Sequence, residues 1–413
     1  MRSFSIKSFG CRTNQAEAFQ WAGRFQRHGI LLEENSYKSD IVIINSCTIT
    51  QRADADVRNF VRKVSRRNPG ARIIVTGCFA ERDPLLFMND PKVWKVFLNK
   101  EKDDLQREVI EDFGKKEPVK YRLFRSRAPV KIQDGCDFRC TFCIIPHVRG
   151  ESRSESQESI TGRVRDLVQK GYKEIVLTGI HLCLYGRDLE PASTLPELLS
   201  ELVTIKDLKY IRLSSLDPRF LDEEFIDFIA SHEKICPHFH FSLQHTSGRI
   251  IEKMGRKISS EKYREVLEYT REKSPDASMG ADIIVGFPEE SGKDFDHLYA
   301  FLEKSLLTYF HVFSYSPRPG TAAAGMRGVD SKTEKKRSAL LRELSRKKNL
   351  EFRKRFEGAV LDAVVIKEKN NKLHVLTHNY LKVLVPDGCS RKSSLVRVRI
   401  ASVKNQVNEG MIV

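Results

Sequence analysis

Three cysteines lie close together near the middle of the chain, within Gln133–Arg149. This stretch has the sequence Q-D-G-C-D-F-R-C-T-F-C-I-I-P-H-V-R and places Cys136, Cys140 and Cys143 in a Cys-x3-Cys-x2-Cys pattern. Cysteine thiolates are the usual protein ligands of iron–sulfur clusters. Three thiolates can hold three irons of a four-iron cluster. Because no fourth cysteine follows locally, one iron is left open for a small chelating molecule.

Two other kinds of site use the same residue types. A zinc site would take a fourth cysteine or histidine, for which His147 is a candidate. Three buried thiols without any metal are the other alternative. The specific spacing and its flanking residues favour the iron–sulfur cluster.

Three further cysteines each follow a short β-rich run in the first 114 residues. The runs and their cysteines are Ser3–Ser8 with Cys11, Ile41–Ile44 with Cys47, and Ile73–Thr76 with Cys78. Helical patterns at Gln15–His28 and Ala53–Arg67 follow the first two runs. Strands that alternate with helices predict a parallel sheet, whose strands all end along one ligand-binding edge. We therefore expect the three cysteines to converge and to hold a second cluster with an open iron. Three unrelated buried thiols remain the alternative.

From residue 128 to residue 350, strand-like runs alternate with helical patterns. The predicted strands are Val130–Gln133, Glu174–Thr178, Tyr210–Ser214, His240–Leu243, Ala281–Val285 and Phe310–Phe313. The predicted helices include Ile160–Lys170, Asp222–Ser231, Glu261–Lys273 and Asp294–Lys304. Six such units predict a partial barrel whose active site lies at the carboxyl ends of the strands. The motifs at those ends are Thr178–His181, Ser214–Pro218, Leu243–Gly248, Asp282–Glu290 and Phe313–Thr321.

The last part of the chain changes from a helical to a β pattern. A long basic helix is predicted at Ser331–Glu357. The β runs that follow, separated by N-N and P-D-G turns, are Ala359–Ile366, Leu373–Thr377, Leu381–Val385 and Leu395–Val403. Gly358–Val413 contains 9 Lys/Arg against 4 Asp/Glu. Small basic β-barrels are a common scaffold for RNA binding. The formal net charge of +16 for the whole chain also points to a polyanionic partner.

Cysteine usage and hydropathy indicate the compartment. Nine cysteines in 413 residues argue against a secreted disulfide framework and for a reducing environment. The N-terminal residues lack the apolar segment of a signal peptide, and no apolar run approaches a membrane span. We therefore predict a cytoplasmic protein without membrane contact. The residues predicted to be structural thiols or ordinary histidines are Cys183, Cys236, Cys389, His238, His240 and His245.

The central motif resembles the radical S-adenosylmethionine (SAM) superfamily, in which SAM occupies the open iron. The motifs ahead of it, G-C-R-T-N, I-N-S-C-T-I-T and T-G-C-F-A-E, resemble the methylthiotransferase family and within it the MtaB-type branch, which acts on tRNA. The resemblance implies an α/β multidomain protein in four parts. These are a doubly wound parallel-sheet domain at 1–114 with the auxiliary cluster, a linker at 115–127, a radical-SAM core at 128–350 with a partial (β/α)6 barrel, and a TRAM-like RNA-binding β-barrel at 351–413.

The resemblance also implies cofactors, partners and contacts. The cofactors would be SAM and two 4Fe-4S clusters, held by the two sets of cysteines. The partners would be the tRNA anticodon loop and an electron donor such as a flavodoxin or ferredoxin. The residues expected to contact SAM are Phe142, Arg149, Arg153, Gly179, Arg212, Gln244 and Asp282. For Arg149, Arg153, Arg212 and Gln244, an ordinary ion-pair or loop role is the alternative.

The reaction implied by the resemblance is radical sulfur insertion. In this reaction the reduced central cluster cleaves SAM, and the resulting 5′-deoxyadenosyl radical abstracts hydrogen from C2 of an adenine. Sulfur is then delivered from the open iron of the N-terminal cluster, and a second SAM methylates it. The implied substrate is N6-threonylcarbamoyladenosine just 3′ of the anticodon. Isopentenyl-adenosine in tRNA and a ribosomal-protein Asp are alternative substrates. An iron–sulfur protein that binds RNA or senses redox state without catalysis is the alternative from another functional class.

Overall fold

The structure is a computed structural model that describes residues 2–115, 117–122, 124–386, 393–405 and 407–413. The chain folds as two units. The first comprises Met1–Phe124, Asp134–Ser152 and Ser316–Ala324, and the second comprises Arg125–Gln133, Arg153–Tyr315 and Gly325–Val413. The central cysteine motif therefore belongs to the same unit as the N-terminal cysteines. The domain boundaries at residues 114, 127 and 350 stay predictions.

A five-stranded parallel sheet forms the N-terminal part of the first unit. Its strands are β1 (Ser3–Ser8), β2 (Leu31–Leu32), β3 (Ile41–Ser46), β4 (Arg72–Gly77) and β5 (Lys95–Phe97), in the order β2-β1-β3-β4-β5. The helices are α1 (Arg12–Arg27), α2 (Gln51–Arg67), α3 (Cys78–Arg82), α4 (Pro84–Met88) and α5 (Lys102–Phe113). This confirms the predicted doubly wound parallel sheet. The short strands β2 and β5 were not predicted from the sequence.

Both faces of this sheet are covered. Along β3, Ile41 and Ile43 pack into one apolar cluster with Trp21, while Val42 and Ile44 pack into a second cluster with Val57. A strand buried on both sides needs a nearly continuous apolar run, which explains the I-V-I-I sequence. In the order β2-β1-β3-β4-β5 the direction of chain progression reverses between β1 and β3, and the crevice at such a point is where open α/β sheets bind ligands.

The central strands lie in two parallel sheets of the second unit, one with the order β10-β9-β6 and the other β11-β12-β13-β14. The strands from this part of the chain are β6 (Ala128–Lys131), β7 (Gln133–Asp134), β8 (Arg153–Ser154), β9 (Glu174–Thr178), β10 (Tyr210–Leu213), β11 (Ser215–Leu216), β12 (His238–Gln244), β13 (Ser278–Val285) and β14 (Tyr309–Ser314). The third predicted strand is divided at Ser214 into β10 and β11, so it contributes to both sheets. The six predicted strand positions of the partial barrel are therefore all present.

Most of the helices of this region follow a short polar residue. They are α6 (Ile145–Arg149), α7 (Gln157–Gln169), α8 (Leu195–Val203), α9 (Glu223–Ser231), α10 (Gly248–Lys253), α11 (Ser260–Lys273), α12 (Gly292–Lys304) and α13 (Ser331–Lys354). The side chains of Ser156, Thr194 and Asp222 each accept a hydrogen bond from a backbone N–H in the first turn of α7, α8 and α9. Such caps satisfy donors that the helix itself cannot pair. The long basic helix α13 ends three residues before the predicted Glu357.

The C-terminal strands close into a five-stranded barrel. They are β15 (Val360–Lys369), β16 (Lys372–Thr377), β17 (Lys382–Pro386), β18 (Leu395–Val403) and β19 (Asn408–Ile412), in the order β15-β16-β17-β19-β18. The predicted N-N turn is confirmed, since Asn370 and Asn371 have φ of 53° and 55°, as a two-residue hairpin requires. The predicted P-D-G turn begins at Pro386, the last residue of β17, and its other two residues and Cys389 fall on 387–392, outside the described residues. Among the described residues, none of the helices combines the length and apolar character needed to cross a membrane.

Candidate active site

The N-terminal cysteines follow three neighbouring strands of the first unit. Cys11 is the N-cap of α1 and accepts the Asn14 N–H at 3.5 Å. Cys47 and Cys78 are each only 2% exposed. Gly10, with φ of 78°, packs so closely on Cys47 that an added Cβ would lie 2.2 Å from its Sγ. The strand ends therefore bring the predicted residues together, and only glycine fits beside Cys47.

Burial and neighbouring charges act on two of these thiols, Cys11 and Cys47. Burial raises the pKa of the Cys47 thiol to about 12, and the negative charges of Cys11 and Cys78 raise it as well. Burial also raises the pKa of the Cys11 thiol, with Arg149 opposing the shift and Cys78 adding to it. Three neighbouring thiolates repel one another, and cations such as irons bound between them favour their joint ionisation. The donor set therefore fits a metal cluster.

Arg149 lies beside these cysteines and is buried, with its side chain 1% exposed. Its Nε donates to the Cys78 Sγ at 3.2 Å. Its Nη1 donates to Asp134 at 2.7 Å and to Glu17 at 3.1 Å, and its Nη2 donates to the Asn14 amide oxygen. All three guanidinium nitrogens therefore donate within the N-terminal cysteine region. The sequence predicts that Arg149 contacts SAM, whereas the structure places its side chain against Cys78.

The central cysteines lie on a loop that closes on itself. The Cys136 N–H donates to the Gly150 carbonyl at 3.0 Å, and the Cys143 N–H donates to the Cys140 carbonyl at 2.9 Å. All three cysteines are half-buried. Gly135, with φ of 69°, approaches the Glu151 carbonyl so closely that a Cβ would lie 1.8 Å from its oxygen. Three thiols presented on one closed loop fit the ligand set of a cluster with one open iron.

The two sets of cysteines are neighbours within the first unit. Cys78 packs against Ile144 and Val148 in one buried apolar cluster, and Ile144 directly follows Cys143 in the sequence. The Asn99 amide donates to the Val148 carbonyl and so ties α6 to the N-terminal part of the unit. The half-buried Phe142 lies on the same loop. The structure therefore places the loop of the central cysteines next to Cys78.

Arg318 is a residue of this region whose role the sequence analysis missed. It lies in the S-P-R-P-G-T motif and is buried, with its Nη1 donating to Asp54 at 2.7 Å and to the Thr48 carbonyl at 3.1 Å. Arg82 donates to the same carboxylate at 2.9 Å. Because Thr48 follows Cys47, these ion pairs hold the loop that carries this cysteine. The motif marked the position, but its partner is 264 residues away in the sequence.

Three of the residues predicted to contact SAM lie at strand ends of the second unit. Gly179 follows β9 and packs on the Gln133 side chain, where a Cβ would lie 3.0 Å from its amide oxygen. Gln244 ends β12 with φ of 71°, a left-handed conformation that is uncommon for residues other than glycine and that clusters at functional sites. Arg153 is exposed on β8. Their contacts with SAM stay predictions.

The side chain of Arg212 lies in the protein interior. It is fully buried, and its Nε donates to Glu174 at 2.7 Å. Its two terminal nitrogens donate to the carbonyls of His378 at 3.1 Å and Thr377 at 3.3 Å. All three nitrogens therefore bind protein groups. We assign Arg212 to a joint between β9, β10 and the end of β16 rather than to the predicted SAM contact.

The second unit also contains Cys183, Cys236 and a group of histidines. Burial raises the pKa of the Cys183 and Cys236 thiols to about 12, as expected for structural thiols. Asp282 contacts two histidines, with 3.0 Å from its Oδ1 to His240 Nε2 and 3.3 Å to His311 Nδ1. The sequence predicts ordinary histidines near β12 and does not single out His311. The predicted contact of Asp282 with SAM stays a prediction.

Comparison with known proteins defines the class and then the family. Residues 130–302 match the Radical SAM superfamily, and residues 3–98 match Uncharacterized protein family UPF0004. The chain is similar in fold to the radical S-adenosylmethionine methyltransferase TsrM from Kitasatospora setae, with a TM-score of 0.58 at 13% identity over 78% of this chain and 75% of that chain. The match, the fold and the cysteine loop define a radical-SAM enzyme.

Two relatives from Aquifex aeolicus (strain VF5) identify the family within the radical-SAM enzymes. The chain is 37% identical over 415 residues to its threonylcarbamoyladenosine tRNA methylthiotransferase MtaB, covering 96% of this chain and 99% of the relative. It is 33% identical over 397 residues to the tRNA-2-methylthio-N(6)-dimethylallyladenosine synthase of the same organism, covering 90% of each. The chain therefore belongs to the radical-SAM methylthiotransferase family, on its MtaB branch. Enzymes of this family use SAM and four-iron clusters, as the sequence predicted.

Proposed function

We propose that this enzyme adds a methylthio group to C2 of N6-threonylcarbamoyladenosine, just 3′ of the anticodon of tRNA. The observation that carries the proposal is the contact of Cys78 with Ile144 and Val148 inside one unit. Replacing an aromatic C–H bond by C–S requires a radical and a sulfur donor close together. Two adjacent three-cysteine sets meet that requirement, whereas a single cluster would not.

The residues of the first unit have distinct proposed roles. Cys136, Cys140 and Cys143 would hold one cluster with SAM at its open iron, and the N-terminal cysteines Cys11, Cys47 and Cys78 would hold the other. When bound, these groups supply the radical, the sulfur and the methyl group, and the protein orients them and excludes competing reactions. Arg149 donates to Cys78 Sγ and so supports its negative charge. Phe142 would lie beside the SAM adenine.

The net charge of the chain and its similarity to known relatives support the choice of tRNA as substrate. The chain carries a formal net charge of +16, and the helix α13 and the C-terminal barrel contribute to it. Basic surfaces hold nucleic-acid phosphates, and a loop base must be turned outward to reach a buried site. Of the two relatives from one organism, the one named for threonylcarbamoyladenosine is the more similar. We further propose the anticodon loop as the bound region, a flavodoxin or ferredoxin as electron donor and the cytoplasm as the location.

Iron counting tests the two-cluster basis of the proposal. After anaerobic reconstitution with iron and sulfide, the wild type should hold about eight irons per chain. Replacing Cys136, Cys140 and Cys143 by alanine should leave about four, and so should replacing the N-terminal three. Cys183→Ala is the matched control and should retain about eight. A wild type with about four irons, together with none in the first variant, would indicate a single cluster and contradict sulfur insertion.

Nucleoside mass spectrometry tests the substrate. The reconstituted enzyme, SAM and a reductant are incubated with tRNAs that carry either threonylcarbamoyl or isopentenyl adenosine. We expect the methylthio product from the threonylcarbamoyl tRNA. Product from the isopentenyl tRNA alone would overturn the assignment and leave the family membership intact.

A further inference from the structure

The strands β12, β13 and β14 present two chemically different faces. Phe239, Phe241 and Ala281 are fully buried on the side that the helices cover. Since side chains alternate along a strand, the residues between them face the interior of the partial barrel. Most of those residues are polar or aromatic, among them His238, His240, Asp282, Tyr309, His311 and Phe313.

One end of this interior is filled by aromatic rings. Tyr380, in the turn between β16 and β17, stacks on His238 with 4.0 Å between the ring centres. Tyr309 stacks on both at 6.3 to 6.5 Å and fits only because its neighbour is Gly280, where a Cβ would lie 2.2 Å from the ring. A ligand in the interior therefore meets the next layer, which contains His240, Asp282 and His311.

That layer is a carboxylate shared by two imidazoles. Asp282 Oδ1 lies 3.0 Å from His240 Nε2 and 3.3 Å from His311 Nδ1. Burial acts to raise the pKa of the Asp282 carboxyl, but hydrogen bonds from the two histidines outweigh it, so this pKa lies below its usual range. An ionised Asp282 accepts an N–H from each ring. His240 also contacts the Tyr309 hydroxyl through Nδ1 at 3.2 Å, so both of its nitrogens bind protein groups.

His311 differs from His240 because its side chain is exposed to solvent. Its side chain is 57% exposed, and its Nδ1 is turned toward Asp282, which leaves Nε2 facing outward. Two residues further along β14, Phe313 is 42% exposed, an unusual position for a large apolar ring. The two rings meet edge to face with 6.4 Å between their centres. An open aromatic ring beside a potential cation fits a planar base that carries an anionic substituent.

The dimensions match the substrate named above. Residues 311 and 313 lie about 6.6 Å apart along the strand, at roughly 3.3 Å per residue. In N6-threonylcarbamoyladenosine four bonds separate N6 from the carboxylate carbon, a span of about 5 Å at ordinary bond lengths. A base stacked on Phe313 would thus place its carboxylate near His311. An isopentenyl group has the same reach but carries no charge.

We propose that His311, oriented by Asp282, binds the carboxylate of the threonylcarbamoyl group while Phe313 stacks on the adenine, and that this pair selects the substrate. The inference rests on the proposed function, and it identifies His311 and Phe313 as the residues that recognise the modified base. Asp282 and His240 are positioning residues in this arrangement.

The test uses anticodon stem-loop RNAs that differ only at N6, carrying threonylcarbamoyl, its neutral carboxamide or isopentenyl. Wild-type enzyme should prefer the carboxylate over the carboxamide by about 10- to 100-fold in kcat/KM, as expected for a charge-assisted hydrogen bond. His311→Gln should remove this preference by lowering kcat/KM for the carboxylate RNA alone. His297→Gln, at an exposed histidine of α12, is the matched control and should keep it.

A second variant separates stacking from charge recognition. Phe313→Leu should lower kcat/KM for all three RNAs by a similar factor, roughly 10-fold, and leave the carboxylate preference unchanged. An equal preference in wild type and His311→Gln would overturn the inference. So would a preference that disappears on adding a metal chelator, because His240, Asp282 and His311 would then be ligands of a cation. Absence of methylthio product from every threonylcarbamoyl RNA, with product from isopentenyl RNA, would instead refute the proposed function.

Discussion

Replacing Arg149 tests whether this residue belongs to the N-terminal cysteine region or to SAM. Arg149→Met keeps a similar length but removes the donors to Cys78, Glu17, Asp134 and Asn14. Breaking a buried charge pair from one side costs about 3–5 kcal/mol, because the partner charge stays buried.

The structure indicates that the expected loss in the free energy of unfolding lies at the lower end of that range. Glu17 keeps a second cation, since Lys102 Nζ lies 2.7 Å from it. Asp134 has a side chain that is 15% exposed and can recover some hydration. We therefore expect a loss of about 3 kcal/mol in the free energy of unfolding, together with weaker iron binding by the N-terminal cysteines because Cys78 loses its donor.

The assay combines urea denaturation with iron analysis. Iron is counted in a background in which Cys136, Cys140 and Cys143 are alanine, so that only the N-terminal cluster contributes. Arg153→Met, at an exposed arginine four residues away, is the control and should change stability by less than about 0.5 kcal/mol. Wild-type stability and iron content in Arg149→Met, with only a raised KM for SAM, would refute this reasoning and restore the SAM contact expected from the sequence.

Two further predictions address the packing beside Cys47 and the buried pair in the second unit. Gly10→Ala should displace Cys47 and lower the iron held by the N-terminal cysteines, whereas Gly70→Ala, where a Cβ meets open space, should not; equal iron in both variants would contradict the packing argument. Burial acts to raise the pKa of the Glu174 carboxyl, but Arg212 and Arg127 outweigh it and lower this pKa. The ionised Glu174 carboxylate therefore stabilises the folded protein above the unfolded-state pKa of about 4.3. This stabilisation is lost as the pH falls through the lower pKa that Glu174 has in the folded protein. The stability difference between wild type and Glu174→Gln should then be largest near neutral pH and shrink below pH about 4, and a constant difference would argue against the charge pair.

Local patterns were enough to locate most of the regular elements. The predicted bounds of Ser3–Ser8, Glu174–Thr178 and Leu395–Val403 coincide with β1, β9 and β18. Each is an apolar or alternating run that ends at a turn, so its own residues determine its length. The strands β2, β5 and β19 escaped prediction because they have two, three and five residues with weak periodicity. Pairing with a neighbouring strand, which the local sequence does not reveal, stabilises them.

The convergence of the cysteines also followed from sequence. Cys11, Cys47 and Cys78 follow strands of one parallel sheet, and such strands end at a common edge whatever their separation along the chain. The spacing of the central three, Cys-x3-Cys-x2-Cys, also predicted that they act as one ligand set. What the sequence by itself determined is therefore the identity of the cysteines and the edge at which they meet.

The partners of the buried arginines were decided only by tertiary structure. Arg149, Arg212 and Arg318 all lie in or near motifs of the family, and the sequence analysis assigned the first two to SAM. The structure pairs them with Cys78, Glu174 and Asp54, at distances along the chain of 71, 38 and 264 residues. A buried guanidinium must pair with whichever anion the fold brings within about 3 Å, because leaving either charge alone in the interior costs several kcal/mol. That proximity depends on the packing of whole elements and is not encoded in local spacing.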